Sequence, residues 1–305
     1  MKRISLVVPC YNESQCIDAF IAAIDAQKLR ADLEFVFVDD GSQDETLAAV
    51  KARAAVDKRI HYVSFSRNFG KEAALLAGLE KAAGDYVVTM DADLQHSPSM
   101  LPDMEAAIVD EGYDCVAARR TNRKGEPMLR SWFAHRFYWL MDRFSDVTLV
   151  DGAMDYRMMT RQVVSEILRL RETLRFTKGI YQWVGFKTKW LDTANVQRVA
   201  GESKWSFWAL FRYSVTGILA FSTAPLQIAS VIGGCVSCAA FLYMTVVFLK
   251  WLLYGEPVAG WPTLICVVML LGGIQLFVIG VLGTYVSQIF KEVKRRPAYV
   301  IKESA

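Results

Sequence analysis

From Tyr213 to Leu249 the chain carries no Asp, Glu, Lys or Arg, and from Pro257 to Phe290 it carries none again. Few folds tolerate two such runs. A helix needs roughly 20 apolar residues to cross a hydrocarbon core of about 30 Å, and only a helix or a closed barrel satisfies its own backbone in lipid. Pro225 divides the first run, so we expect spans over about 226–250 and 263–289, with 205–225 lying along the interface before them. The connecting loop, 254–262, has Glu256 but no Lys or Arg, whereas Lys291, Lys294, Arg295 and Arg296 follow the second span. That asymmetry predicts a multi-pass membrane protein with the head domain and both termini cytosolic, 291–305 forming a basic cytosolic tail. Gly272, Gly273, Gly280 and Gly283 offer small faces for helix packing, within one chain or between copies in a homo-oligomer. A buried helical pair in a soluble protein is the alternative.

The remainder reads as one cytosolic domain, 1–204. Its opening, Lys2-Arg3 followed by Ile4 to Val8 and then Pro9, is too short for a signal-peptide core and reads as a strand. Further strands are expected at 33–38, 60–65, 86–88 and 113–118, separated by helices such as the Ala-rich 72–83. Strand–helix alternation at this spacing predicts an α/β fold: a mostly parallel sheet with helices on both faces. In such sheets ligands bind beyond the carboxyl ends of the strands. Polar clusters stand at each of those ends: Tyr11-Asn12-Glu13, Asp39-Asp40-Gly41-Ser42, Ser66 to Lys71, and Asp91-Ala92-Asp93.

The last cluster is the most telling. Two carboxylates about 4 Å apart repel by roughly 4 kcal/mol at an effective dielectric near 20, so a cation belongs between them. Asp91, Asp93 and the amide of Gln95 are hard oxygen donors suited to Mg²⁺ or Mn²⁺, which leave positions open for substrate phosphates. An Asp-rich loop capping the helix near Ser99 is the plainer reading. The net charge of +3 is too small to imply nucleic acid. The six Cys and three His show no paired metal-ligand spacing; the thiols read as core or lipid-facing residues in a reducing compartment.

Taken together, VVPCYNE, VDDGSQDET, SRNFGKEAALLAGLEKA and GDYVVTMDADLQHSP resemble glycosyltransferase family 2, and within it the polyprenyl-phosphate branch of bactoprenol glucosyltransferases and dolichyl-phosphate mannose synthases. The resemblance implies a GT-A-type nucleotide-sugar domain and inverting transfer of one sugar to a polyprenyl phosphate. The donor is expected to be a UDP-sugar, UDP-glucose first, ahead of a GDP-sugar. It implies that Pro9, Tyr11, Glu13 and Asp40 line the nucleoside, with Asp39 close by and Asn12 and Lys71 in the same donor set. Asp91, Asp93 and Gln95 are implied as metal ligands, and Asp155 as candidate base.

The acceptor side follows the same logic. Arg119, in the basic loop 119–125, falls where the family places an arginine, and two anions meeting at one site require extra cations. Arg130, Arg198, Ser203 and Lys204, the last two within Gly201-Glu202-Ser203-Lys204, complete the expected acceptor-phosphate set. Residues 131–144 read as an aromatic helix, either core or interfacial. Where bactoprenol enzymes commonly carry TGDFRLM, this chain has AMDYRMM, so Met154 stands in place of a glycine and local backbone differences are expected. A processive polysaccharide synthase shares the donor motifs, but Tyr181-Gln182-Trp183-Val184-Gly185 is not its QxxRW-like segment. A non-catalytic scaffold gives no reason for these acidic and basic clusters to occur together.

Overall fold

The computed structural model describes residues 2–120, 147, 150–193, 221–254 and 260–305. They fall into two units, Met1–Ala220 with Arg296–Ala305, and Phe221–Arg295. The first unit opens with β1 (Arg3–Cys10), α1 (Ile17–Asp25), β2 (Asp32–Asp39), α2 (Thr46–Val56), β3 (Ile60–Phe65), α3 (Lys71–Lys81) and β4 (Tyr86–Thr89). Then come α4 (Leu101–Val109), β5 (Cys115–Arg120), β6 (Ala153–Thr160), α5 (Arg161–Arg169), α6 (Thr177–Trp183) and β7 (Thr188–Thr193). After α7 (Ala224–Tyr254) and α8 (Trp261–Val293), which make up the second unit, β8 (Ile301–Ser304) returns to the first.

The strands form one sheet in the order β7-β5-β6-β4-β1-β2-β3-β8. Strand β1 is buried from Ile4 to Cys10 because helices cover both faces, as expected of a continuous apolar run in a parallel sheet. Strands β1 to β4 are mutually parallel. The sheet is nevertheless mixed: β6 runs antiparallel between β4 and β5, and β8 antiparallel beside β3. The strand–helix rhythm of the first ninety residues did not reveal them.

Small residues bring α3 close to the sheet. A Cβ on Gly78 would lie 2.2 Å from Val7 Cγ1, and Ala73, Ala74 and Ala77 are buried beside it. Met154, which stands where the bactoprenol motif has glycine, is buried within β6. The demand for glycine falls instead at Gly152, where φ is +76° and a Cβ would meet the Arg120 carbonyl at 2.3 Å.

The C-terminal stretch is more than a basic tail. Helix α8 runs on to Val293, and after it Tyr299 stacks on Phe65 with ring centroids 4.8 Å apart. Lys51 then pairs with Glu303 as β8 seats on β3. The charge-run reading overlooked Ala298-Tyr299-Val300-Ile301, which is strand-forming. In the second unit, Ala224–Lys250 and Val267–Val293 are each 27 residues long and apolar enough to cross a membrane. Their apolar side chains are exposed, Leu242 by 65% and Leu276 by 72%. Among the described residues nothing lies within 4 Å of where a Cβ would stand on Gly272, Gly273, Gly280 or Gly283, so no described side chain packs on these small faces.

Candidate active site

Strand order creates the site. The chain leaves β1 toward β2 and β3, then returns to place β4 on the other side of β1. Loops from β1 and β4 therefore diverge at their carboxyl ends and leave a crevice. Because β6 is antiparallel to β4 and pairs Thr89 with Arg157, its opening residues, including Asp155, lie at that same edge. The end of β5, with Arg119 and Arg120, reaches it too, since β5 is antiparallel to β6.

At this edge three charged side chains converge. The Lys71 Nζ lies 2.7 Å from Asp91 Oδ1, 2.8 Å from Oδ2, and 3.0 Å from Asp155 Oδ2. Burial by itself would raise both carboxyls, but the Lys71 charge outweighs it and holds each below the usual carboxylate range, Asp155 far below. Lys178 adds to the effect on Asp155. Burial likewise opposes the ammonium, yet Asp155 and Asp91 hold Lys71 firmly protonated. The protein's own Lys71 thus already places one cation at Asp91 and shares it with Asp155. Asp91 and Asp93 do not cap α4, whose N-terminus has no side-chain cap.

The loop after β4 is built against β6. His96 stacks on Tyr156 with centroids 5.2 Å apart, the Tyr156 hydroxyl donates to the Ser97 carbonyl at 3.2 Å, and Thr89 Oγ1 donates to the Asp155 carbonyl. Burial lowers the His96 pKa, so the ring is neutral at pH 7, and its Nδ1 accepts the Asp91 amide at 3.4 Å. Leu94 takes a left-handed φ of 55°, uncommon for an apolar residue, at the bend between Asp93 and Gln95. The Gln95 amide donates to Asp93 Oδ1 at 3.1 Å.

Among the described residues no three acidic, His or Cys side chains form a ready cage for a metal. The donor set still suits a hard divalent ion. Mg²⁺ characteristically takes one or two carboxylates plus substrate phosphates and water, and Asp91 and Asp93 supply such a pair at a rigid bend.

At the carboxyl end of β1, Pro9 is buried, and Tyr11, Asn12 and Glu13 follow it half-buried at the crevice. Asn12 knits two loops: its amide donates to Ser42 Oγ at 3.0 Å and its Oδ1 accepts the Gln43 amide at 2.8 Å. Asp39 and Asp40 are only 3% and 4% exposed. Asp39 accepts from the Ser42 amide and the Ser64 hydroxyl. Asp40 accepts the Phe69 and Gly70 amides at 2.6 and 2.9 Å, and burial raises its pKa. The acidic pair thus shapes the loop that delivers Lys71. Gly41, at φ +68°, lets that loop close over it: a Cβ would strike the Arg67 backbone at 2.5 Å.

At the end of β5, Arg119 is held by Asp192 of β7, its Nε at 2.9 Å and its terminal nitrogen at 2.8 Å. Arg130, Arg198, Ser203 and Lys204, the aromatic segment 131–144 and most of 205–225 lie outside the described residues. Sequence reasoning missed His96, Lys178 and Asp192. Lys178 donates to the Ala153 carbonyl at 3.0 Å and approaches Asp155 from α6. His96 stood in view five residues after Asp91; the other two reach the edge only through strand pairing and the α6 turn.

The sequence matches the family described as Glycosyl transferase family 2 over residues 5–168. CsbB of Bacillus subtilis (strain 168) is 41% identical over 303 residues, covering 99% of this chain and 92% of that protein. The SfII prophage-derived bactoprenol glucosyl transferase of Shigella flexneri is 40% identical over 304 residues, covering 99% and 98%. Among solved structures, glucosyl-3-phosphoglycerate synthase from Mycobacterium tuberculosis, in complex with Mn²⁺, UDP-glucose and phosphoglyceric acid, aligns with a TM-score of 0.49 at 19% identity, covering 72% of this chain and 78% of that one. The family match spans more than half of the chain, and its motifs are the loops that meet at the crevice: this chain belongs to glycosyl transferase family 2.

Proposed function

We propose that the chain transfers one glucosyl residue from UDP-glucose to a polyprenyl phosphate, undecaprenyl phosphate first, with inversion, at the cytosolic face of the membrane. The observation that carries this reading is the near-complete, 40% identical alignment with the Shigella flexneri bactoprenol glucosyl transferase, joined to a donor-type crevice on the same chain as two membrane-length helices. Strand β8 rejoins the head-domain sheet after α8, which favours an even number of crossings and one compartment for both ends. The open glycine faces of α8 are available to a second copy of the chain.

Chemistry follows from the charges. Asp91 and Asp93, with Gln95 beside them, would hold a divalent ion, whose chemistry there would be Lewis-acid neutralisation of the departing diphosphate. Tyr11, Asn12 and Glu13 border the nucleoside side, and Asp39, Asp40 and Lys71 fix the loop above it. A phosphate monoester has a second pKa near 6, so the acceptor oxygen is already nucleophilic at neutral pH. Asp155, tied to Lys71 and held far below the carboxylate range, orients groups rather than removing a proton. Arg119, with Arg130, Arg198, Ser203 and Lys204, binds the acceptor phosphate. The acceptor oxygen attacks the anomeric carbon as the bond to UDP breaks on the opposite face, so no sugar bonds to the enzyme.

Release of the nucleoside diphosphate, UDP or GDP, by purified protein with a panel of nucleotide sugars and undecaprenyl phosphate tests this. Release with UDP-glucose is expected to require the lipid and to stop in excess EDTA. Release only with GDP-mannose would overturn the donor, release without lipid would overturn the acceptor, and full activity in EDTA would overturn the metal.

A further inference from the structure

The Lys71 ammonium occupies the position at Asp91 where the proposed function requires a divalent ion. Both Asp91 oxygens are within 2.8 Å of Nζ, so neither oxygen faces the crevice without a cation already on it. A metal at Asp91 would sit about 2.0–2.1 Å from the carboxylate oxygen, and two cations on one carboxylate repel. One must yield.

Several features bear on which does. Lys71 is the first residue of α3, and a cation at a helix N-terminus opposes the helix dipole. Its place there therefore depends on the carboxylates. The helix itself is fixed: Gly78 packs on Val7 with no room for a methyl group, and Asp40 clamps the Phe69 and Gly70 amides just before Lys71. Only the flexible side-chain stem can move. It has a second anchor, since Asp155 Oδ2 already lies 3.0 Å from Nζ on β6, an element separate from the one that carries Asp91.

We propose that Lys71 is a resident counter-cation: it neutralises Asp91 in the metal-free enzyme, gives up Asp91 when a divalent ion binds, and stays on Asp155. This rests on the reading that Asp91 and Asp93 hold the metal. Lys71 is then a positioning residue that lets three carboxylates coexist at one edge before substrate arrives. Metal held against this competition binds weakly alone and more firmly once the donor diphosphate adds its oxygens.

The test is Mn²⁺ binding to the full-length protein in detergent without nucleotide, read from the loss of the free-ion electron paramagnetic resonance signal. Lys71→Met, which removes the charge, is expected to tighten Mn²⁺ about fivefold, the size of one partly exposed ion pair. Lys71→Gln keeps an amide donor to the carboxylates and is expected to do the same; it decides the matter if the methionine variant melts early. Lys71→Arg, which keeps the charge, is expected to leave affinity within about twofold of the wild type. Unchanged or weaker Mn²⁺ binding in the two neutral variants would overturn the exchange while leaving the metal site standing. Failure of the wild type to take up Mn²⁺ with or without UDP, and indifference to Asp93→Asn, would overturn the metal reading and the exchange together.

Discussion

Asp91 and Asp93 stand one residue apart in the chain but in different company, and their variants should separate accordingly. Asp91 is engaged by Lys71, while Asp93 accepts its own loop's amide from Gln95. Asp93→Ala is expected to lower turnover by at least about a hundredfold, the scale of losing a group that stabilises developing charge, with the melting temperature nearly unchanged. An early thermal transition in that variant would make Asp93 a structural residue. For Asp155→Asn the expectation is a fall of about 10²- to 10³-fold in kcat with donor KM changed less than about threefold. Its pH profile is diagnostic. With its pKa held low by Lys71, Asp155 is already ionised throughout the neutral range, so the acid limb of activity should lie near pH 6, from the acceptor phosphate, in wild type and variant alike. A limb present only in the wild type would identify Asp155 as a titrating base. The same depressed pKa fixes the sign for stability. The ion cluster contributes fully above the unfolded carboxylate pKa of about 3.9 and is lost only as pH falls below it. Sequence motifs exposed the acidic pair directly; they did not expose Lys71 meeting Asp155, because no local spacing records a contact made between α3 and β6.

At the scale of elements, the alternating strands and helices up to β4 were legible because each carries an apolar run followed by a turn cluster. Strand β6 was not. Its sequence, AMDYRMMT, is buried at Met154, Tyr156, Arg157, Met158 and Met159, so it lacks the polar–apolar alternation of a one-sided strand. Strand β8 hid behind a run of cations, and its seating depends on the partners Phe65 and Lys51 far back in the chain. Helix α3 offers a direct check on how the site is held. Gly78→Ala would push a methyl group to 2.2 Å from Val7 Cγ1 and is expected to cost about 1–3 kcal/mol of stability in thermal or denaturant unfolding. It should also weaken activity, because the displaced helix carries Lys71. A neutral effect on both would mean that α3 shifts freely and does not position its first residue.

The whole molecule joins a soluble-donor crevice to a pair of lipid-length helices, and the proposed reaction gives that union its reason. An isoprenoid acceptor stays in the bilayer, since each buried CH₂ is worth about 0.8 kcal/mol, whereas a nucleotide sugar stays in water. A protein acting on both needs a head domain and a membrane unit in one chain, which the exposed apolar surfaces of α7 and α8 are suited to supply. The central claim is a single transfer onto a lipid phosphate. It is tested most directly by incubating the purified protein with UDP-glucose, Mg²⁺ and undecaprenyl phosphate and weighing the organic-phase lipid by mass spectrometry. The account predicts a lipid heavier by one hexose, with no longer products at extended times; sugar appearing only in a polymer or a water-soluble glycan would contradict it.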